Sequence, residues 1–392
     1  MESKRSTTDC GGLRRDLCLP LGRFRASANV VIWSRRGCDL LVIAWLALAF
    51  LFNYINDGYM YASEVRVTNH FDAVYHAVAQ VHLGKTLLVD TLNQYGQYPE
   101  LLAPLFAVTG LSVRIFSCVM QTVTVVAFGC LYLFLRRTLR NPLVAFVTFL
   151  AILASPYFLH NTYEAVGTIY YQYIPIRFLF PCLLIYLSGC YLETRNRWLY
   201  FSSFPLYTIG ILWNLDTGIV VFLTWLLTLC YEELVSRPAR AGILHVCRHV
   251  AIALGSLLLV IGIYYGTLRT LSGHWPDFGQ LSAYQRLYYF HGFYMLPMPG
   301  VHPWNLVLLI YALGLACAGW RVLNCRLGQD GSQIFLVSIL GIGIFTYYQG
   351  RSHDSVFVFI CYPALLLIGL FVDRVLERIP LNPGAKLGGL VN

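Results

Sequence analysis

Charged residues are scarce in this chain of 392 residues. Asp, Glu, Lys and Arg together make up 12% of the sequence, whereas hydrophobic residues make up 57%. Soluble domains carry about 25% charged residues. A single soluble core cannot bury this much apolar surface, so the composition excludes an ordinary soluble protein. It predicts an all-α polytopic membrane protein.

Paired cysteines and metal-ligand spacings are also missing. None of the twelve cysteines belongs to a Cys-x-x-Cys pair, and none is spaced with histidine as a metal site requires. Most lie inside apolar runs or near their basic flanks, where cysteine behaves as a small hydrophobic residue. The pattern argues against structural disulfides and against a cysteine–histidine metal centre.

The surplus of positive charge does not indicate nucleic-acid binding. The formal net charge is +9, but the basic residues cluster at the ends of apolar segments. This placement is typical of membrane topology. We therefore expect no nucleic-acid partner and a lipid bilayer as the environment of the chain.

Ten apolar segments predict about ten transmembrane helices. Their connectors alternate between arginine-rich and arginine-poor, and the positive-inside rule then predicts that both termini lie in the cytoplasm. The segments cover approximately residues 39–55, 112–135, 142–158, 176–192, 198–213, 217–234, 244–266, 304–320, 333–348 and 355–372.

This topology divides the chain into three parts. Residues 1–38 are basic and form a predicted cytoplasmic segment, and the apolar run that follows reads as a retained anchor because no small-residue cleavage site comes after it. Residues 39–372 form the predicted transmembrane domain, with long outward loops at 56–111 and 267–303. Residues 373–392 form a cytoplasmic tail.

The stretch from Asn69 to Gly84 carries the clearest pattern of the outward side. In HFDAVYHAVAQVHLG, Asp72, Tyr75 and His76 share one helical face, and apolar residues share the opposite face. The spacing predicts an amphipathic helix on the membrane interface that ends at Gly84. A second short helix is predicted after the Tyr-Gly-Gln-Tyr-Pro turn. A loop that only caps the bundle would show the same pattern, so this alternative stays open.

Three later connections add ionisable residues at the same membrane edge, where polar groups are costly and indicate function by default. Arg177, in PIRFLFP, suits a phosphate, although an arginine that snorkels to the interface is the alternative. The last turn, YYQGRSHDS, presents Arg351 and His353 as a phosphate grip or as a plain hairpin tip. Asp216, in WNLDTG, is either a site residue or a helix N-cap. The aromatic loop 267–303 suits carbohydrate stacking or an interfacial belt.

The order of these features resembles the GT-C superfamily of membrane glycosyltransferases. In the lipid A aminoarabinose transferases and protein O-mannosyltransferases of that superfamily, an Asp-Glu pair precedes a pattern of Tyr, Ala and Gly. Asp72, Tyr75, Ala79 and Gly84 match this pattern, whereas Phe71 leaves only one carboxylate at the motif. Any second acid would have to come from elsewhere in the first outward loop, from Asp90, Glu64 or Asp57.

The resemblance implies a bundle of about ten helices with two interfacial helices in the first outward loop. It also implies a sugar transfer, by inversion, from a polyprenyl-phosphate donor to a glycan, lipid or protein acceptor. The enzyme would work on the periplasmic or extracellular face of the inner or plasma membrane. Asp72 is the expected base with Asp90 as its acidic partner, and a divalent cation (Mg or Mn) at these two residues is left open. The residues expected to bind substrate or phosphate are Arg351, His353, Arg177, Ser352, His70, His76, Tyr95, Glu164 and Asp216.

Two other classes of function remain in view. A secondary transporter or flippase for a lipid-linked or anionic substrate would show inverted repeats, broken helices and charges near the bilayer midplane. The sequence shows no repeat between its halves, and its charges lie near the outer edge. A non-catalytic partner in an envelope complex is the third alternative.

Overall fold

The computed structural model describes residues 35–51, 65–155, 171–324 and 329–378. In these ranges the chain is helical and forms no β-strand, apart from an isolated bridge between Leu87 and Thr91. The predicted all-α fold class is confirmed.

The first half of the described chain contains seven helices. The first, α1, covers residues 35–51. The others are α2 (Val65–His82), α3 (Tyr98–Thr109), α4 (Val113–Thr138), α5 (Pro142–Ala154), α6 (Leu179–Thr194) and α7 (Arg197–Trp213).

The second half continues with two long helices, α8 (Leu215–Ser236) and α9 (Ala239–Ser272). Short helical turns follow, at α10 (Phe278–Leu281), α11 (Ala283–Gln285) and a π-helical turn, Arg286–Phe290. The chain then forms α12 (Trp304–Leu323), α13 (Gln329–Gly350), α14 (Asp354–Ile360) and α15 (Tyr362–Arg378).

Within the described residues, each of the ten predicted apolar segments overlaps a helix, or the pair α14 and α15. In the part of the chain that the structure describes, five helices, namely α4, α8, α9, α12 and α13, are long and apolar enough to cross a membrane. The pair α14 and α15 makes a sixth candidate, with a bend of 45° between its halves, and α5 and α6 are shorter apolar helices. The number of about ten spans therefore stays a prediction.

Local capping explains where several of these helices start. Ser112 accepts a hydrogen bond from the Ile115 amide at 3.2 Å, and Asn141, followed by Pro142, caps α5. The cap of α8 is Asn214, whose side chain accepts from the Thr217 amide at 3.1 Å. Asp216 lies inside the first turn of α8, so the N-cap role considered for it belongs to Asn214.

The middle of the bundle is formed by α8 and α13, which pack on each other. Helix α8 also packs on α6, α7 and α9. It approaches α7 so closely that a Cβ on Gly218 would lie 2.2 Å from the Gly210 carbonyl oxygen. By contrast, α9 leaves most of its surface exposed, with Leu258 and Leu259 outward.

The predicted amphipathic helix is confirmed as α2, and its position on the membrane interface stays a prediction. Phe71, Val74 and Val78 are buried, whereas Asp72 and His76 are exposed on the opposite face. Phe71 packs edge-on against Phe116 of α4, with ring centroids 5.7 Å apart. This packing holds α2 against α4 and turns its polar face away from the core.

The two ends of the bundle differ in the use of charge. At the end where α4 finishes and α5 starts, arginines form ion pairs with nearby carboxylates: Arg136–Asp39, Arg137–Glu193, Arg140–Glu377, Arg195–Glu232 and Arg374–Asp330. The opposite end carries α2, α3, the loop after α9 and the α13–α14 connection. The candidate site lies at this second end.

Candidate functional site

The polar face of α2 opens into a cavity of about 550 Å³. Asp72, Tyr75 and His76 line one side, and the main wall opposite comes from the loop that precedes α3. That loop contributes Asn93 and Gln94. The cavity therefore combines one carboxylate, one imidazole and two amides, a set that can bind hydroxyl groups and accept a proton from one of them.

The loop before α3 is held in shape by two carboxylates. Asp90 accepts a hydrogen bond from the Thr86 amide at 2.8 Å, and Glu100 accepts one from the Leu87 amide at 2.8 Å. Asp90 is not among the residues that line the Asp72 cavity. Its observed contact supports the loop, and its predicted part as an acidic partner of Asp72 stays a prediction.

Gly96 lets this loop reach the start of α8. Its φ of +114° is a conformation that favours glycine, and a Cβ here would lie 2.2 Å from the Trp213 carbonyl oxygen. The Asn214 side chain donates to the Tyr95 carbonyl oxygen at 2.8 Å. The cap of α8 thus fixes the position of Tyr95.

A second cavity, of about 410 Å³, adjoins the first, and Gln94 lines both. Tyr95, Arg351 and His353 line this second cavity, which brings three of the predicted phosphate-binding residues together. The Arg351 guanidinium carbon lies 3.6 Å from the centre of the Tyr288 ring, a cation–π contact. Gln94, which lines both cavities, donates a hydrogen bond to the hydroxyl of Tyr288, which lines the second cavity.

Arg177 lies behind the second cavity and is almost fully buried. One of its terminal nitrogens donates to the Gln172 carbonyl oxygen at 2.6 Å, and the other lies 3.5 Å from an Asp216 carboxylate oxygen. Its guanidinium carbon is 4.6 Å from the centre of the Tyr347 ring and 5.2 Å from that of Tyr95. Arg177 therefore has a carboxylate partner, and it contacts an aromatic residue, Tyr95, that lines the second cavity.

Two tyrosines connect the arginines. Arg351 donates to the Tyr347 hydroxyl at 3.4 Å, and the Tyr347 and Tyr173 hydroxyls lie 3.4 Å apart. Burial raises the pKa of the Tyr95 phenol to about 12, with Arg177 opposing the rise. Tyr95 thus stays neutral near pH 7, and its hydroxyl donates to Gln172.

Asp216 joins Arg177 to the loop after α9. One of its carboxylate oxygens lies near Arg177, and the other accepts a hydrogen bond at 3.0 Å from the side-chain amide nitrogen of Gln285. Gln285 immediately precedes the turn that carries Tyr288. Asp216 therefore links Arg177 to the loop after α9 and lines neither of the two cavities.

The other predicted residues are more scattered. The Ser352 hydroxyl donates to the Tyr348 carbonyl oxygen at 3.2 Å, and Ser352 is not among the residues that line the second cavity. The side chain of His70 and the whole of Glu164 lie outside the described residues. Two residues after Ser352, an Asp354 carboxylate oxygen lies 3.0 Å from His302 Nε2, a hydrogen-bond contact that the sequence did not predict.

A metal site is not assembled by protein side chains in the described ranges. No three His, Cys, Asp or Glu residues there come together in a way that could hold an ion. Asp72 and Asp90, the two ligands considered, take part in different local structures. The divalent cation stays a prediction.

Several lining residues were missed by the sequence analysis. Tyr288 and Tyr173 each touch the arginine they support, and Gln94 joins the two cavities. Their signal was present but diffuse: Tyr173 stands four positions before Arg177, in the stretch YYQYIPIR, and Tyr288 stands in the aromatic-rich loop 267–303. Tyrosine at a membrane edge is common, so composition alone does not single these residues out.

Comparison of the chain with family models, with curated proteins and with solved structures finds no match. The likeness to GT-C glycosyltransferases therefore rests on the order of sequence features and on the motif around Asp72. What the two cavities can do must be argued from their own side chains. Together they offer a proton acceptor at one point and a cation framed by tyrosines at the next.

Proposed function

We propose that this chain is a membrane glycosyltransferase that moves a sugar from a polyprenyl-phosphate donor to a glycan, lipid or protein acceptor. The single observation that carries the proposal is the pairing of cavities: the Asp72 cavity adjoins the Arg351 cavity through Gln94. A glycosyl transfer needs a base for the acceptor and a cation for the departing phosphate, and these two requirements fit the two cavities.

In the proposed reaction the acceptor hydroxyl oxygen attacks the anomeric carbon of the donor sugar. The Asp72 carboxylate takes the hydroxyl proton as the new bond forms. The bond between the anomeric carbon and the phosphate oxygen breaks, and its electron pair leaves with the lipid phosphate. Arg351, with His353 beside it, stabilises the charge that develops on that oxygen. The configuration at the anomeric carbon inverts, because attack and departure take place on opposite faces of the sugar.

The buried arginine has a separate part in this proposal. Arg177 contacts Tyr95, Tyr173 and Tyr347 and is paired with Asp216. These contacts suit a positioning residue that holds the aromatic wall of the phosphate cavity. Arg351 is the more accessible of the two arginines and is the one assigned to the phosphate.

The membrane arrangement belongs to the same proposal. About ten spans with both termini in the cytoplasm would put the arginine-rich end of the bundle inside and the two cavities outside. The inner or plasma membrane of a cell envelope is then the location, and the active site faces the periplasm or the cell exterior. In the described ranges, the five apolar helices of membrane-spanning length and the bent pair support a membrane location.

One observation favours the alternative, a transporter or flippase for a lipid-linked or anionic substrate. The pair α14 and α15 is a broken helix, and α14 follows directly on Arg351 and His353. Broken helices beside charged residues are typical binding elements of secondary transporters. A transporter gives no role to the Asp72 carboxylate in the neighbouring cavity, and we therefore prefer the glycosyltransferase.

The test uses the full chain in liposomes with a radiolabelled polyprenyl-phosphate sugar and a panel of acceptors. We expect Asp72→Asn to lower transfer by about 10²–10⁴-fold, the usual contribution of a general base. Asp277→Asn is the matched control, because Asp277 caps the short helix α10 through the Gly279 amide and lines neither cavity. Asp277→Asn should leave transfer unchanged.

Two results would count against the proposal. Full turnover by a folded Asp72→Asn variant would remove the assigned base. Uptake or flipping of an anionic substrate by the wild-type chain, with no sugar transferred, would establish the transporter instead.

A further inference from the structure

A third cavity adjoins the Asp72 cavity on the side formed by the loop after α9. It has a volume of about 470 Å³. Leu92 and Tyr284 line both this cavity and the Asp72 cavity, so the two share a wall. The lining residues are Leu92, Ala283, Tyr284, Arg286, Leu287 and His291.

The charge of the third cavity is positive. Arg286 and His291 are its ionisable lining residues, and no acid is among the six side chains. Both residues are exposed. The cavity thus presents a permanent cation with an imidazole beside it.

The Arg286 guanidinium is only partly occupied by the protein. It donates to the Gly279 carbonyl oxygen at 2.6 Å, and it forms no ion pair with any carboxylate in the described ranges. The nearest acid along the chain, Asp277, accepts from the Gly279 amide at 2.7 Å. An arginine has five N–H donors, so several remain for a ligand.

From this geometry we infer that the third cavity binds an anionic group of the acceptor, a carboxylate or a phosphate. The inference rests on the proposed function, since it takes the hydroxyl that Asp72 deprotonates as its starting point. An acceptor with that hydroxyl in the Asp72 cavity extends past Leu92 and Tyr284 into the third cavity. Its anionic group there meets Arg286, whose planar fork suits two oxygens at once.

The walls between the two cavities suit a sugar or a similar ring. Tyr284 offers an aromatic face, stacked at 6.4 Å on Tyr288, and Leu92 offers an apolar edge opposite. Tyr288 is also the ring on which Arg351 lies. The same aromatic segment therefore borders the phosphate cavity on one side and the acceptor cavities on the other.

Binding of acceptors can be measured without any sugar donor, which separates this inference from the proposed function. The full chain in neutral-lipid nanodiscs is titrated with three probes: methyl glucoside, methyl glucuronide and methyl glucoside 6-phosphate. Saturation-transfer NMR gives the affinity of each. We expect either anionic probe to bind about tenfold more tightly than methyl glucoside, the size of one charge-assisted contact. The two anionic probes distinguish a carboxylate from a phosphate.

Variants assign the preference to the cavity. Arg286→Gln should bring the anionic probes to the affinity of methyl glucoside, and His291→Gln should reduce the preference while leaving the Gly279 contact intact. Arg269→Gln is the matched control, because Arg269 lies on the Trp275 ring at the same end of the bundle and lines none of the three cavities. It removes one charge from the same end and should keep the full preference.

The outcomes are separable. Equal binding of all three probes by the wild-type chain would show that Arg286 is only a solvated surface charge and would overturn the inference. An equal loss in Arg269→Gln and Arg286→Gln would overturn it too, since general attraction would then explain the preference. The wild-type chain could also prefer the anionic probes, lose this preference in Arg286→Gln, and yet transfer no sugar from any donor. That result would support the binding site and refute only the proposed function.

Discussion

The pair of Arg177 and Asp216 holds two parts of the candidate site together, and its coupling energy can be measured. We propose a double-mutant cycle with Arg177→Met and Asp216→Asn. Both side chains are largely buried, and their closest nitrogen and oxygen are 3.5 Å apart. Asp216→Asn removes the charge but keeps an oxygen that can accept from Gln285, so the cycle isolates the ion pair.

The expected size follows from burial and distance. Two unit charges about 4 Å apart attract by roughly 4 kcal/mol at an effective dielectric constant of about 20. Removing one partner of a buried pair costs about 3–5 kcal/mol, because a charge is left without compensation. The contact is long, so we expect each single variant to lose about 3 kcal/mol and the pair to couple by about 2 kcal/mol. The contacts of Arg177 with Gln172 and the tyrosine rings are lost in both legs and cancel.

The free energy of unfolding is measured by denaturant titration in mixed micelles for the wild type, the two single variants and the double variant. The control cycle uses Arg374 and Asp330, 3.3 Å apart but more exposed, where the coupling should be below about 1 kcal/mol. If the losses of Arg177→Met and Asp216→Asn add to within about 0.5 kcal/mol, the pair carries no coupling and the reasoning is refuted.

Three further predictions follow from other contacts. Gly96→Ala should lower the free energy of unfolding by more than about 3 kcal/mol, since its Cβ would meet the Trp213 carbonyl oxygen. The control is Gly84→Ala, also at positive φ but with open space around it, which should cost about 1 kcal/mol. Equal losses in the two variants would contradict the clash. Burial raises the pKa of Glu100, so the folded state keeps this proton to a higher pH than the unfolded state does. The free energy of unfolding therefore falls as the pH rises from the unfolded-state pKa to the folded-state pKa of Glu100. Glu100→Gln should flatten this part of the pH–stability curve, and an unchanged curve would rule out the effect. Tyr288→Leu should weaken binding of a short-chain prenyl phosphate by about 1–2 kcal/mol, as measured by calorimetry. Tyr288→Phe keeps an aromatic ring under Arg351 and should bind this ligand as tightly as the wild type. Similar affinities of the two variants would show that the cation–π contact does not contribute to binding.

The two faces of helix α2 could be predicted from the local sequence pattern. The period of 3.6 residues predicted the buried face of Phe71, Val74 and Val78 and the outward face of Asp72, and the structure has both. Gly84 follows the helix at positive φ, as its lack of a side chain predicts. These features depend on residues a few positions apart, so the sequence is sufficient to read them.

The partners of the arginines could not be read in the same way. Arg177 looked like a residue in need of a phosphate, but its carboxylate partner stands 39 positions later in the chain. Asp216 looked like a helix cap, but the cap two residues earlier, Asn214, leaves it to pair with Arg177. Both partners of this pair lie far apart in the chain, so their contact depends on how the helices pack.

By itself, the sequence determined the class of the protein, its helices and the polar face of α2, because composition and periodicity act over short stretches of chain. The tertiary structure alone decided which side chains share a cavity. Tyr288 lies beside Gln94 across 194 positions, and Asn214 reaches Tyr95 across 119. Contacts of this kind arise when helices pack and loops close over them, and no local rule of spacing encodes that geometry.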